Sequence, residues 1–187
     1  KEGKPIDHTP GDWLDKPDYV KGTVTSTQSC QVCGTELDTK TRNIDSLIEN
    51  GAFSLPAFDF VKIMSNAFSS ISGCKRKADS GLAKDGLTMS IDIKTSSKTV
   101  ASGGLIASGT DNTFIPFYEG SKGGSFWNLM ITCKSDQNTA EIMYALIQAC
   151  DPALSSSEAL DNFTALSSNK GIGQASRNGV TYSLAKM

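Results

Sequence analysis

The side chains in this sequence with the most reactive chemistry are five cysteines and one histidine. Cys30 and Cys33 form a Cys-x-x-Cys pair, the spacing found in half of a zinc ribbon and in redox-active dithiols. A zinc ribbon needs a second close pair, whereas Cys74, Cys133 and Cys150 are each isolated. A redox pair works at the start of a helix, and the residues after Cys33 predict none. We therefore predict that both cysteines join disulfides with partners elsewhere in the chain.

The number of cysteines is odd, so full pairing within one chain is impossible. We predict two disulfides and one free thiol, with the connectivity left open. Cys133 lies in an apolar stretch and Cys150 on an apolar helix face, and either of them fits the free thiol. A disulfide from Cys74 to Cys30 or Cys33 would stabilise the fold by roughly 3–4 kcal/mol.

The single histidine, His8, lies in a proline-rich N-terminal stretch, and we interpret it as a solvated tail residue. Catalytic triads, Cys–His pairs and most zinc hydrolases need a positioned imidazole, so the sequence argues against these enzymes. We predict no catalytic residue, no metal and no cofactor. The open alternative is an intracellular zinc- or thiol-dependent module built on Cys30 and Cys33.

Carboxylate pairs hydrolyse glycosides without a histidine, which leaves one enzymatic alternative open. The acidic residues on predicted ordered elements are Asp92, Glu119 and Glu141. Nothing in their spacing places two of them at the separation that the reaction needs. Because this chemistry needs no histidine, a secreted glycan hydrolase nevertheless remains the second hypothesis for function.

Two sequence patterns indicate covalent processing in an exported protein. Asn162 opens the sequon Asn-Phe-Thr, which is a candidate for N-glycosylation. Lys75 and Arg76 form a dibasic step that a processing protease could cut, although an exposed charged loop is the interpretation we favour there.

Aromatic and charged residues beside a glycine-rich loop give the only candidate binding surface. The loop spans residues 119–124, and the candidates are Phe117, Tyr118, Glu119 and Lys122. Aromatic side chains beside a loop can recognise a sugar or a protein partner.

The elements that must position these residues are predicted from apolar periodicity and capping. Helices are predicted at 44–49, 56–73, 138–150 and 155–166, and Ser155 with Glu158 predicts a capping box at the last of them. The clearest strands are predicted at 87–93, where Met89, Ile91 and Ile93 alternate with polar residues, and at 180–184. Because the strands cluster between pairs of helices, the pattern predicts an α+β fold in which helices pack on one face of an antiparallel β-sheet. This arrangement is an α/β sandwich, and the cysteines predict that it is stapled by disulfides.

Length and composition set the outer limits on this prediction. The 187 residues are 38% hydrophobic and 20% charged, with a net charge of −2, which is typical of a globular protein. We predict an irregular N-terminal arm at 1–19, where three prolines lie, and a single domain at 20–187. No apolar run is long enough for a transmembrane segment. Only three of the 18 basic residues are arginines, which argues against nucleic-acid binding.

Several features together favour export with the signal peptide removed. The chain begins with Lys1 rather than methionine, it is rich in serine and threonine, and it carries a sequon and five cysteines. With the Lys75-Arg76 step, the segment from Ile131 to Cys150 and a late strand at 180–182, the chain resembles small secreted fungal effectors and killer-toxin-like proteins. The resemblance implies a compact α/β sandwich and carries over no functional residue.

These observations favour a secreted, non-catalytic binding protein, such as a glycosylated effector or toxin-like virulence or competition factor. Its expected partner is a protein or a glycan at the surface of a host or competitor cell. The sequence leaves the ligand and the oligomeric state open.

Overall fold

The computed structural model describes residues 7–49, 52–96, 98–107, 109–110, 113–114, 126–133, 137–168 and 171–185. Contacts within the chain divide it into two compact units, Lys1–Ile44 and Asp45–Met187, which we call the N-terminal and the C-terminal unit. No helix among the described residues has the length and apolar character needed to cross a membrane.

The N-terminal unit is a three-stranded antiparallel meander. Its strands are β1 (Pro10–Asp18), β2 (Thr23–Cys30) and β3 (Glu36–Asn43), with β2 in the centre. We expect residues 1–19 to be irregular because of their prolines, yet residues 10–18 form β1. Pro10 and Pro17 are tolerated because β1 is an edge strand, where a missing backbone N–H leaves no hydrogen bond of a central ladder unmade.

A tight turn sets the pairing of β1 with β2. The backbone N–H of Lys21 donates to Asp18 Oδ1 at 3.0 Å, and Gly22 has a φ of +68°. Glycine adopts this left-handed conformation without the steric cost that other residues meet. The turn therefore reverses the chain directly before β2.

The N-terminal unit has a small apolar core. Among its described residues, only Val24, Cys30 and Ile44 are buried apolar side chains. Leu14 and Val32 are 75% and 84% exposed. Since the unit gains little from the burial of apolar surface, other interactions must contribute to its stability.

The C-terminal unit contains the helices and the larger sheet. Its described elements are β4 (Ile48–Glu49), β5 (Ala52–Phe53), α1 (Ala57–Ser70), β6 (Arg76–Leu82), β7 (Thr88–Thr95), β8 (Lys98–Ala107), β9 (Gly109–Thr110), β10 (Thr113–Phe114), β11 (Phe126–Cys133), α2 (Gln137–Cys150), α3 (Ser156–Ser167), β12 (Ile172–Arg177) and β13 (Val180–Ala185). Six of these strands form an antiparallel sheet in the order β4-β5-β11-β8-β7-β6, and β12 pairs with β13. An antiparallel α+β fold is therefore confirmed.

Alternation along β7 separates a buried face of the sheet from an open one. Met89, Ile91 and Ile93 are fully buried, and the residues between them are exposed or half-buried. On the buried side, the Phe60 ring of α1 lies 5.0 Å from the Phe126 ring of β11. These contacts form the main apolar core of the chain.

Three of the four helices predicted from the sequence are present in the C-terminal unit, and the fourth is wrong. The three longer helices are present, and the predicted capping box of α3 is confirmed by paired hydrogen bonds between Ser155 and Glu158. The short helix predicted at 44–49 is wrong, because Ile48–Glu49 pair with Ala52–Phe53 as a small hairpin. A stretch this short carries too little periodicity to separate a helix from a strand.

Candidate metal centre at the turn between β2 and β3

Strand pairing in the N-terminal unit brings one histidine and two cysteines together. Cys30 ends β2, Cys33 lies in the turn that follows, and His8 precedes β1. The backbone N–H of Gln31 donates to the carbonyl oxygen of Thr9 at 2.9 Å, which fixes the start of β1 beside the turn. Strand β1, which the sequence did not predict, therefore places His8 beside the two cysteines.

The distances in this cluster suit a shared metal ion. His8 Nδ1 lies 3.4 Å from Cys33 Sγ, and one ligand atom from each of the three residues lies within 4.8 Å of the others. For tetrahedral zinc, with Zn–S of about 2.3 Å and Zn–N of about 2.0–2.1 Å, a sulfur and a nitrogen ligand lie about 3.6 Å apart. The observed separation of 3.4 Å is close to this value.

The backbone of the turn is arranged around the Cys30 sulfur. The Val32 N–H donates to Cys30 Sγ at 3.4 Å, and the Gly34 N–H donates to the Cys30 carbonyl oxygen at 2.9 Å. Hydrogen bonds from the backbone N–H groups of Cys33 and Val32, with a smaller contribution from His8, lower the pKa of Cys30 to about 6. The turn therefore favours a thiolate, which is the form that binds metals.

The two cysteines differ in their exposure. Cys30 is only 4% exposed, whereas Cys33 and His8 are exposed. A dithiol that exchanges with other proteins needs an accessible low-pKa sulfur, and here that sulfur is the buried one. The arrangement thus suits metal binding better than thiol exchange.

A hydroxyl group lies next to the exposed sulfur. Thr35 Oγ1 is 3.1 Å from Cys33 Sγ. Beside a metal-bound thiolate this hydroxyl can donate to the sulfur, and such outer contacts orient metal ligands.

Sequence reasoning missed the role of His8 because it treated residues 1–19 as an irregular arm. The available signal was the pair Asp18 and Gly22, two residue types that favour turns, directly before the β-branched residues that begin β2; a chain reversal there implies a second strand on its other side. That pairing would have brought the N-terminal stretch back towards Cys30.

The other three cysteines have separate surroundings. Cys74 Sγ donates to Glu141 Oε2 at 3.4 Å, and Cys133 is half-buried. Cys150 is buried, and its desolvation raises its pKa to about 12. All five cysteines are described and none forms a disulfide, so the predicted stapling by two disulfides is not supported and stays a prediction.

The two candidate carboxylates that the structure describes, Asp92 and Glu141, do not converge. Asp92 lies between buried Ile91 and Ile93, so its side chain is on the open face of the sheet. Glu141 of α2 forms an ion pair with Arg76, on the helix-covered side. Glu119 lies outside the described residues.

A shallow groove on the sheet offers no acid–base group either. It is lined by Thr88, Met89, Ser90, Gly103, Gly104, Leu105, Ile106, Asn128 and Met130. None of these side chains titrates in the physiological range. The groove therefore gives no support to acid–base hydrolysis.

Only the first residue of the dibasic step lies in an exposed loop, since Lys75 is exposed and precedes β6. Arg76 is the first residue of β6, and its side chain is only 12% exposed. A protease that cuts after Arg76 must bind this side chain in an extended, accessible segment. Cleavage at Lys75 and Arg76 would thus require the start of β6 to detach from β7.

The glycosylation candidate is buried. Asn162 lies within α3 and is 8% exposed, and its Nδ2 atom has no hydrogen-bond partner among the described residues. Glycans are accepted at exposed asparagines, so the folded chain does not present this one. The candidate binding residues Phe117, Tyr118, Glu119 and Lys122 lie outside the described residues.

Comparisons with known proteins give no relative from which a function could be carried over. No protein-family model, no curated protein and no solved structure matches the chain at a significant level. The resemblance to secreted fungal effectors and killer-toxin-like proteins therefore stays a prediction from sequence.

Proposed function

We propose that the N-terminal unit binds one zinc ion through Cys30, Cys33 and His8, and that the ion stabilises this unit. The observation that carries the proposal is the convergence of two sulfur atoms and one imidazole nitrogen within 4.8 Å. This proposal replaces our expectation that the chain holds no metal.

The donor set favours zinc over the common hard cations. Magnesium and calcium prefer oxygen ligands, whereas thiolate and imidazole ligands suit zinc. Three protein ligands leave a fourth tetrahedral position for water or another donor. Cys33 and His8 are both exposed, so solvent could reach an ion held by these residues.

The small core of the unit gives an independent reason for a metal. Domains of about 40 residues usually need disulfides, metals or oligomerisation to fold stably. The described part of the unit has three buried apolar side chains and no disulfide. A metal at the cluster would tie the start of β1 to the end of β2 and the start of β3.

The test is metal titration of the full chain under reducing conditions. Cobalt(II) should give the thiolate charge-transfer band and the strong d–d bands of a tetrahedral site, and one equivalent of zinc should displace it. Cys33→Ser should abolish the charge-transfer band or weaken it strongly, and His8→Ala should weaken binding. Cys74→Ser, which removes a thiol outside the cluster, should bind like wild type. Equal binding by wild type and Cys33→Ser would overturn the proposal.

We also propose that the protein as a whole is a secreted, non-catalytic binding protein whose partner is a protein or glycan at a cell surface. Its support is the sequence pattern, together with the separation of Asp92 from Glu141 on opposite sides of the sheet. Fractionation of the source cells tests it. Recovery from the medium and binding to intact target cells are expected, whereas recovery only from the lysate, or turnover of a glycan, would contradict it.

A further inference from the structure

The proposed zinc site combines one shielded and one exposed thiolate. Cys30 is 4% exposed, and Cys33 is exposed at the surface of the turn. We infer that the cluster of Cys30, Cys33 and His8 is a redox switch, an inference that rests on the proposed zinc site. A peroxide converts Cys30 and Cys33 to a disulfide and the zinc ion leaves. His8 and β1 are then released from the turn.

The chemistry needs two thiolates and one peroxide. The exposed Cys33 thiolate attacks one peroxide oxygen, the O–O bond breaks, and Cys33 becomes a sulfenic acid as hydroxide leaves. The Cys30 thiolate then attacks the Cys33 sulfur, forming the S–S bond and releasing the second hydroxide. Two electrons pass from the two sulfurs to hydrogen peroxide, and zinc loses two of its three protein ligands.

The geometry permits this closure with local movement. The two sulfurs belong to one four-residue turn and lie within 4.8 Å of each other. A disulfide requires about 2.05 Å between the sulfurs, which side-chain rotation and a small change of the turn can provide. Cys30 shares the turn with Cys33, and we therefore assign Cys30 as the resolving thiol.

The disulfide does not replace what the metal holds. It closes only the turn, whereas zinc also binds His8, which lies 25 residues before Cys33. Besides its backbone ladder with β2, β1 is held by side-chain contacts at exposed or half-buried positions. Ser26 Oγ donates to Asp15 Oδ1 at 2.6 Å and Arg42 pairs with Asp15 at 3.2 Å, while Gln28 Nε2 donates to the Gly11 carbonyl oxygen at 2.9 Å and the Lys40 ammonium lies over the Trp13 ring. Exposed polar pairs contribute little to stability. Loss of zinc therefore frees β1 and uncovers the edge of β2.

The experiment uses the zinc-loaded full chain, hydrogen peroxide and a chromophoric zinc chelator. We expect one zinc released and two thiols lost per chain, with peptide mass spectrometry placing the disulfide between Cys30 and Cys33. Dithiothreitol with added zinc should restore the loaded protein. Hydrogen exchange should rise in β1 but not in β7. Cys74→Ser should release zinc like wild type and serves as the control.

The outcomes separate this inference from the proposal on which it rests. If the chain binds no zinc before oxidation, the proposed function fails. If zinc is bound but remains after peroxide, the redox inference alone fails. Zinc release with sulfinic or sulfonic acids, or with a disulfide elsewhere, would also overturn the redox inference.

Discussion

Three phenylalanine rings meet in the core of the C-terminal unit, where Phe53 and Phe126 stack at 4.5 Å and Phe60 lies 5.0 Å from Phe126. The N-terminal unit has no such centre. Its largest aromatic side chain, Trp13, is 38% exposed and lies beneath the Lys40 ammonium at 4.2 Å. One unit is stabilised by buried apolar surface, and the other has little apolar surface to bury.

The difference follows from what covers each sheet. In the C-terminal unit, α1 packs against the sheet, so alternate residues of β7 are fully buried. In the N-terminal unit, β1 and β3 are mostly exposed along their length. A sheet without a covering layer cannot bury one face, so a local crosslink such as a bound metal ion must supply stability. The Cys30–Cys33–His8 cluster is in a position to do so.

Zinc removal should have the largest effect, and it should destabilise the N-terminal unit while leaving the C-terminal unit unchanged. With a chelator or in Cys33→Ser, we expect amide protection in β2 and β3 to be lost, because zinc sites in small modules contribute about 10–16 kcal/mol of apparent binding free energy. Protection in β7 and β8 should not change. Hydrogen exchange followed by mass spectrometry measures both units in one experiment, and unchanged protection in β2 would contradict the comparison.

Truncation of the core should have the opposite pattern. Phe60→Ala should lower the free energy of unfolding of the C-terminal unit by about 3–5 kcal/mol, through lost burial and the cavity that remains. Zinc affinity should be unchanged. In denaturant titrations, the control Leu160→Ala should cost less than about 1 kcal/mol, because Leu160 is 55% exposed. Equal losses in the two variants would contradict the assigned core.

A smaller effect is expected where α1 meets the edge strand β6. The Ser65 hydroxyl donates to the Ala78 carbonyl at 3.1 Å and accepts from the Ala78 N–H at 2.9 Å. Ser65→Ala leaves both backbone groups without this partner and should cost about 1–3 kcal/mol. Ser69→Ala, which removes an exposed hydroxyl on the same helix, is the matched control in thermal or denaturant unfolding. The contact is unimportant if the two variants unfold alike.

The effect that is smallest near neutral pH, because it develops only in alkali, again belongs to the C-terminal unit. Burial raises the pKa of Cys150 to about 12, above its ordinary value of 9.0. Between these values the unfolded chain loses the thiol proton while the folded chain keeps it, so stability is full below pH 9 and falls as pH rises. Denaturant unfolding across this range should show a shallower pH dependence in Cys150→Ala. An unchanged slope would contradict the assignment to Cys150.

Burial also raises the pKa of Tyr182, so some alkaline sensitivity is expected to remain in the Cys150→Ala variant. Metal binding in the N-terminal unit has the opposite dependence on pH. Zinc binds cysteine and histidine ligands in their deprotonated forms, so zinc affinity is expected to fall in acid. We therefore expect the C-terminal unit to lose stability in alkali and the N-terminal unit to lose stability in acid.

Local patterns in the sequence determined the parts of the C-terminal unit that local forces control. The capping box at Ser155 and Glu158 and the alternation through Met89, Ile91 and Ile93 were both correctly predicted. Each depends on residues no more than a few positions apart, so its free-energy contribution can be estimated from the adjacent sequence. The Cys-x-x-Cys pair was recognisable for the same reason.

Only the tertiary structure decided what that pair does. His8 joins Cys33 across 25 residues of sequence because β1 pairs with β2, and β1 has no apolar periodicity and carries two prolines. An edge strand tolerates both features, since its outer backbone groups and its side chains face solvent. The sequence thus contained the ligands, and the pairing of an unpatterned edge strand brought them together.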